Sequence, residues 1–305
     1  MGVIMGNVAQ NGNGHHAGMR PRSSFGNAAT SGRDDARRIP RILAAVLVLV
    51  VAVSVIWITV TRPWAGWTAA SPDSYAALQQ VKSVPRNATS RGGLLLRPVH
   101  QADARIPTVE IYVDPMCPAC GEVDRTLNAT LTTLWKSGQI AMELHPVSFL
   151  DGASTDEYST RAASALAYVG ERDPQHALEF MGKLFAQDHQ PSESDYRPIA
   201  NRQIMRWAVE AGVPTAVAAS AVNGRYMEWV KKSTSWTIAR KDLQSPDRGG
   251  FATPLIRVNR SIWSIQGMQL AQLPSAFVHC LGLTQAQVGM GSRAPSIGSA
   301  GKPLE

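Results

Sequence analysis

One stretch constrains this chain more than any other: Val109-Glu110-Ile111-Tyr112-Val113-Asp114-Pro115-Met116-Cys117-Pro118-Ala119-Cys120. Residues 106–113 read as a strand. Asp114-Pro115 ends it, and a helix then opens on the C-x-x-C pair and runs to about Trp135. Val123, Leu127, Leu131 and Leu134 recur along that helix at the spacing of a buried face. Two thiols on a helix's first turn meet unsatisfied backbone N–H groups and the positive end of the macrodipole. Both favour a thiolate. In such a pair the first cysteine, Cys117, is the accessible nucleophile, and the second, Cys120, closes or resolves the disulfide. The pattern points to thiol–disulfide exchange.

A second feature fixes where that chemistry takes place. Residues 42–61 form an uncharged run of about 20 residues, roughly 30 Å as a helix and so long enough to cross a bilayer. It exceeds the apolar core of a cleaved signal peptide, about 7–15 residues, so it reads as a retained anchor. Arg20, Arg22, Arg33, Arg37, Arg38 and Arg41 crowd its N-terminal side, while Trp57, Trp64 and Trp67 gather at the other end. The positive-inside rule then leaves residues 1–41 in the cytoplasm as a disordered Gly/Asn/Arg-rich tail. Everything after residue 62 is extracytoplasmic. Much of the formal charge of +7 lies in that tail. It argues for membrane orientation and against nucleic acid, since no basic stripe interleaved with aromatics appears beyond it. His15-His16 has no further ligands nearby and reads as solvated.

Residues 62–104 mix Pro, Ser, Ala, Gly and Arg and read as a stalk, with a short helix near Tyr75 and an edge strand at Leu94-Leu95-Leu96. Asn87 and Asn128 each open a glycosylation sequon, a pattern frequent by chance. The folded domain spans residues 105–283. A second strand, residues 140–150, follows the C-x-x-C helix and is expected parallel to the first through a right-handed crossover. A helical block of about 152–247 comes next. In it Asp173-Pro174 opens a helix carrying Leu178, Met181, Leu184 and Phe185. Another helix covers 202–211, and two more cover 215–222 and 226–243. Residues 255–258 and 262–265 form a hairpin about Asn259-Arg260, and residues 270–281 a last helix. Residues 284–305 read as a frayed tail.

The order strand, C-x-x-C helix, strand, helical block, Thr-Pro, hairpin, helix resembles the thioredoxin-like α/β fold with a helical insertion. The segment from Val113 to Cys120, with Ala252-Thr253-Pro254-Leu255, resembles the DsbA/DsbG-like extracytoplasmic thiol–disulfide oxidoreductases. The resemblance covers about 105–283. It implies a cis-proline loop at Thr253 and Pro254 that faces the cysteines and pairs with a substrate backbone. It also implies a protein disulfide oxidoreductase that needs no cofactor and acts on reduced exported proteins. A DsbB- or VKOR-like membrane partner would reoxidise it. Pro118 and Ala119 tune the thiolate. Members with histidine in place of Ala119 gain a further stabiliser, so a less oxidising pair is expected here.

There is a second departure: six positions before the first cysteine, where a buried acid is found in thioredoxin and DsbA, stands Ile111. Glu110 and Asp114 are nearby, and strand alternation sends both to one face. Whether that face lies under the disulfide stays open, and Asp114 is equally readable as a supporting acid or as a turn residue. His145 reads as a core or surface residue more readily than as a site residue. Cys280 reads as a small buried side chain, with a third redox thiol or an intermolecular bridge as the alternatives. Residues 63–104 are too short for the N-terminal dimerisation domain of the family's isomerases. Within the fold the alternatives are a reductase or isomerase, or a non-catalytic scaffold with a structural bridge. A zinc site lacks its second ligand pair.

Overall fold

The computed structural model of the protein describes residues 73–98, 105–244 and 249–305. The run 42–61 lies outside them. Among the described residues no helix is long and apolar enough to cross a membrane.

Five strands form one sheet: β1 Leu94–Leu96, β2 Thr108–Val113, β3 Ala141–Pro146, β4 Leu255–Val258 and β5 Ser261–Ile262. Their order is β1-β3-β2-β4-β5. The pair β2–β3 is parallel and the other three are antiparallel. Hydrophobic alternation sorts the sheet into two faces. Val109, Ile111 and Val113 join the large helical core, whereas Tyr112 joins a small cluster with Val147, Leu243, Phe251 and Leu255. The β4–β5 turn is made by Asn259 and Arg260, both at positive φ, the backbone a two-residue hairpin needs.

Eight α-helices are described: α1 Ser74–Gln79, α2 Pro118–Lys136, α3 Tyr158–Arg172, α4 Ala177–Leu184, α5 Asn201–Glu210, α6 Thr215–Ala221, α7 Met227–Ala239 and α8 Leu273–Cys280. Helix α2 buries Val123, Leu127, Leu131 and Leu134, the face its periodicity marked. Helices α3 to α7 make up the insertion between β3 and β4. Pro174 starts a single 3-10 turn, and α4 follows directly; the Asp173 carboxylate meets His176 Nδ1 at 2.7 Å. Helix α5 ends before Gly212 at φ 95°, a conformation that glycine adopts without a Cβ clash.

Two segments are tied more closely to the domain than expected. The stalk forms the expected short helix and edge strand, α1 and β1, and both pack onto the domain: Leu94 and Leu96 are fully buried, and α1 packs on α7. The supposed frayed tail is hydrogen-bonded to the domain at both ends. The Gln139 carboxamide donates to the carbonyls of Gln287 and Arg293, and Asn259 Nδ2 donates to those of Gly298 and Gly301. The Leu304 amide also donates to the Cys280 carbonyl. Gly, Ser and Pro give such a segment no periodicity. Its order comes from carbonyls that find side-chain amides far away in sequence.

Candidate active site

Cys117 is the N-cap residue of α2, with φ −67° and ψ 117°, and Pro118 fills the first helical position. Proline suits that place because its missing N–H would have no helical partner there. The extended N-cap backbone turns the Cys117 sulfur towards the first-turn amides of Ala119 and Cys120. Cys117 keeps a small exposed surface while Cys120 has none, and both are thiols.

The Thr253–Pro254 peptide bond is cis, and Cys117 Sγ lies 3.6 Å from the Thr253 carbonyl oxygen. The two motifs thus meet in space. The Thr253 side chain is buried beside the two sulfurs.

The two sulfurs are electrostatically unlike. Donation from the Cys120 thiol draws the Cys117 thiol down to about 6 against the opposing effect of burial; Thr253 and the amides of Cys120 and Ala119 assist. Cys120 goes the other way, pushed well up by burial and by the neighbouring Cys117 sulfur. A helix N-terminus stabilises the outer thiolate, and the inner sulfur keeps its proton.

Asp114 resolves one open question. Strand β2 ends at Val113, so alternation does not extend to Asp114, and the two acids part company. Glu110 stays on the Tyr112 side of the sheet, bonded to Tyr112 and Arg257. Asp114 is fully buried beside the cysteines. Its carboxylate accepts from the Met116 amide at 2.9 Å, the Ser159 hydroxyl at 2.5 Å and the Leu150 amide at 3.0 Å. Its backbone carbonyl accepts from the Cys117 amide at 2.9 Å. No cation is among these partners. Burial therefore dominates and raises its pKa to about 7, with the Cys117 sulfur adding to the rise.

His145 sits away from the thiols. Its ring stacks on Tyr112 at 4.0 Å, and Nε2 lies 3.1 Å from Glu143 Oε1. Cys280 is buried in α8, and burial pushes its thiol up to about 12. Both features are those of a small buried side chain.

Two contributors, Ser159 and Gln190, arrive from the insertion and were not legible in the sequence. A further buried acid, Asp124, lies on α2 one turn beyond Cys120. Asp124 is buried, accepts from Asn128 Nδ2 at 2.8 Å and is raised to about 7 by burial. A carboxylate at a core position of the α2 pattern was the available signal for it. Among the described residues no three His, Cys, Asp or Glu side chains converge as a metal-ligand set.

Comparison with known proteins agrees with this geometry. The family model Thioredoxin_4, described as thioredoxin, matches residues 102–261. The serine/threonine-protein kinase PknE of Mycobacterium tuberculosis is 32% identical over 114 residues, which are 36% of this chain and 20% of that protein. The match thus spans about a fifth of the length of that curated relative. Among solved structures, reduced DsbA from M. tuberculosis is 25% identical with a TM-score of 0.51, covering 67% of this chain and 94% of that one. The reduced disulfide oxidoreductase DsbG from the same organism, at 24% identity and a TM-score of 0.50, covers 73% and 99% and shares the fold. The chain belongs to the thioredoxin family and is similar to its DsbA/DsbG-like members.

Proposed function

We propose that this protein is a membrane-anchored, extracytoplasmic oxidase of exported proteins that works through Cys117 and Cys120. The single observation that carries the exchange chemistry is geometric: Cys117 Sγ sits at the N-cap of α2, 3.6 Å from the Thr253 carbonyl of the cis-proline loop. A thiolate held at a helix N-terminus makes Cys117 a good leaving group from a mixed disulfide, which favours giving the disulfide away.

The cycle starts from the Cys117–Cys120 disulfide. A substrate thiolate attacks Cys117 Sγ; the bond to Cys120 breaks, and Cys120 leaves and takes up a proton. The substrate is then held as a mixed disulfide on Cys117, next to the Thr253 carbonyl, where its backbone lies alongside the cis-proline loop. A second substrate thiolate attacks the substrate sulfur of that mixed disulfide, and Cys117 leaves as the stabilised thiolate. Two substrate thiols have become one disulfide, and the enzyme holds the two electrons as its dithiol. A DsbB- or VKOR-like membrane protein would take them away.

Asp114, in this reading, is a supporting acid whose proton is available near neutral pH beside the pair. The anchor rests on the apolar run 42–61, the arginines before it and the tryptophans after it. Pro118 and Ala119 supply no charge, so a potential somewhat below the most oxidising family members is expected.

The test is the equilibrium reduction potential of the full-length protein in detergent against a glutathione buffer, with two variants beside it. An oxidase lies near or somewhat below about −120 mV; a value near −270 mV reverses the direction to reductase or isomerase. Cys117→Ser is expected to abolish dithiol oxidation, and Cys120→Ser to accumulate covalent substrate complexes. Wild-type activity in either variant, or a bridge that resists reduction over this range, would favour the scaffold instead.

A further inference from the structure

The helical insertion reaches back to the redox helix at one point. Between α4 and α5 the chain turns over α2. There the Gln190 carboxamide donates from Nε2 to the carbonyl of Cys117 at 2.8 Å and to that of Pro115 at 3.3 Å. Its Oε1 faces Arg125 Nη1 at 3.4 Å, and the same guanidinium nitrogen holds the Phe185 carbonyl at 2.7 Å. The Gln190 side chain occupies space that only a glycine leaves free. A Cβ on Gly121 would stand 2.0 Å from Gln190 Oε1 and 2.7 Å from Arg125 Nη1.

The loop that presents Gln190 is itself secured. His189 stacks on Trp207 of α5 at 4.6 Å and 16°, and its Nδ1 meets the Lys183 carbonyl at 2.8 Å. The amides of His189 and Gln190 both donate to the Ala186 carbonyl at 2.9 Å.

We propose that Gln190 is a positioning residue for the reactive thiol: it clamps the peptide of Cys117 from the insertion, and Gly121 is the cut-out in α2 that admits it. The inference rests on the reading of Cys117 as the nucleophile. The Cys117 carbonyl has one helical bond, from the Gly121 amide at 3.2 Å. A first-turn bond of this kind is prone to fraying. A second donor on the same carbonyl fixes the N-cap backbone. That fixed backbone keeps the sulfur in front of the first-turn amides and against Thr253. The Pro115 carbonyl, in the turn that follows β2, is tied down by the same amide group. Thus the clamp joins the strand end and the helix start across the bend that carries Cys117. Gln190 touches neither substrate nor sulfur and acts through this peptide.

The experiment follows alkylation of Cys117 by iodoacetamide against pH, by peptide mapping, in the reduced full-length protein in detergent. Gln190→Ala, the similarly sized Gln190→Met, and Gly121→Ala are compared with wild type, together with melting temperatures. Each variant is expected to move the midpoint up by roughly half a pH unit, about a threefold loss of thiolate below it. The Gln190→Ala/Gly121→Ala double variant should move it no further than the larger single change, since both remove one interaction. A wild-type midpoint in the acid range that stays in place in all variants, with or without a lower melting temperature, overturns the clamp alone. A wild-type Cys117 that titrates as an ordinary thiol overturns the functional reading and the clamp with it.

Discussion

The protein buries carboxylates in two places and treats them in opposite ways. On the Tyr112 face of the sheet, Glu110 and Glu143 stand side by side in the β2–β3 register, and like charges that close repel. Each is answered by a cation: Glu110 by Arg257 at 3.2 Å, and Glu143 by Arg91. The Thr89 hydroxyl also donates to Glu143 at 2.6 Å. Burial pushes Glu143 up, but His145, Thr89 and Arg91 outweigh it and hold the carboxyl at about 2. Burial keeps the His145 imidazole below its usual range, so the charge opposite Glu143 at neutral pH is Arg91. At the end of β2 and on α2, Asp114 and Asp124 are as deeply buried, and among the described residues neither forms a salt bridge; burial outweighs their hydrogen bonds and, for Asp124, the nearby Arg125 charge. The lesson is that depth alone does not decide a carboxyl's state. A cation partner makes a structural ion, and its absence leaves a group that titrates where thiols react.

The sharpest test of that contrast is pH. A buried acid raised from 3.8 to about 7 contributes stability that is complete below about 3.8 and is lost as pH rises through about 7. At about 1.4 kcal/mol per pH unit this sets a ceiling of roughly 4 kcal/mol for Asp114, with the same sign for Asp124. Urea unfolding of the wild type should therefore lose stability between about pH 4 and 7. Asp114→Asn should flatten that decline even if its absolute stability is lower. A wild type with no decline over this window, once the opposite contribution of depressed carboxylates is subtracted with Glu143→Gln, breaks the comparison.

Glu143→Ala strikes the other side. It leaves Arg91, Thr89 and His145 without their shared acceptor, and unfolding at pH 7 should show a loss of about 3 kcal/mol. Because the Glu143 pKa is depressed, its benefit is present above about 4.5 and lost as pH falls towards about 2. The gap between wild type and variant should therefore narrow in that acid window.

Gly93→Ala probes how tightly the paired network is packed. A Cβ there would meet His145 Cε1 and Nε2 at 2.5 Å and Glu143 Cγ at 2.8 Å. A cost of about 2 kcal/mol in chemical unfolding is expected, with dithiol oxidation retained. The smallest effect belongs to Cys280→Ala, about 1 kcal/mol from a buried sulfur in α8. Its turnover with a reduced substrate should match wild type, and a clear fall would return Cys280 to the redox pathway.

Much of the site is a local matter and was therefore readable. The strand, the break at Asp114-Pro115 and a C-x-x-C on the first helical turn are neighbours in sequence, so pattern and chemistry coincide there. The Thr253-Pro254 loop is distant, and its role came from resemblance; the structure then put its carbonyl beside Cys117. The Asp114 question could not be settled by alternation because the strand stops one residue short of it. Ser159 and Gln190 carry no signal at all. A serine at the start of a helix and a glutamine in a polar turn look like any others until the insertion folds over α2.

The sequence by itself marked Cys117 and Cys120 as the candidate pair and determined the helix that carries them and the thioredoxin-like order of strands and helices. These depend on periodicity, turn residues and helix-end electrostatics, which act over a few residues. Tertiary structure alone decided which carboxylates are paired, that residues 284–305 are tied down, and that the insertion holds the Cys117 peptide. The physical reason is common to all three. A carboxyl's charge state and a backbone carbonyl's partner are set by what lies within a few ångströms, and here those neighbours come from tens to more than a hundred residues away.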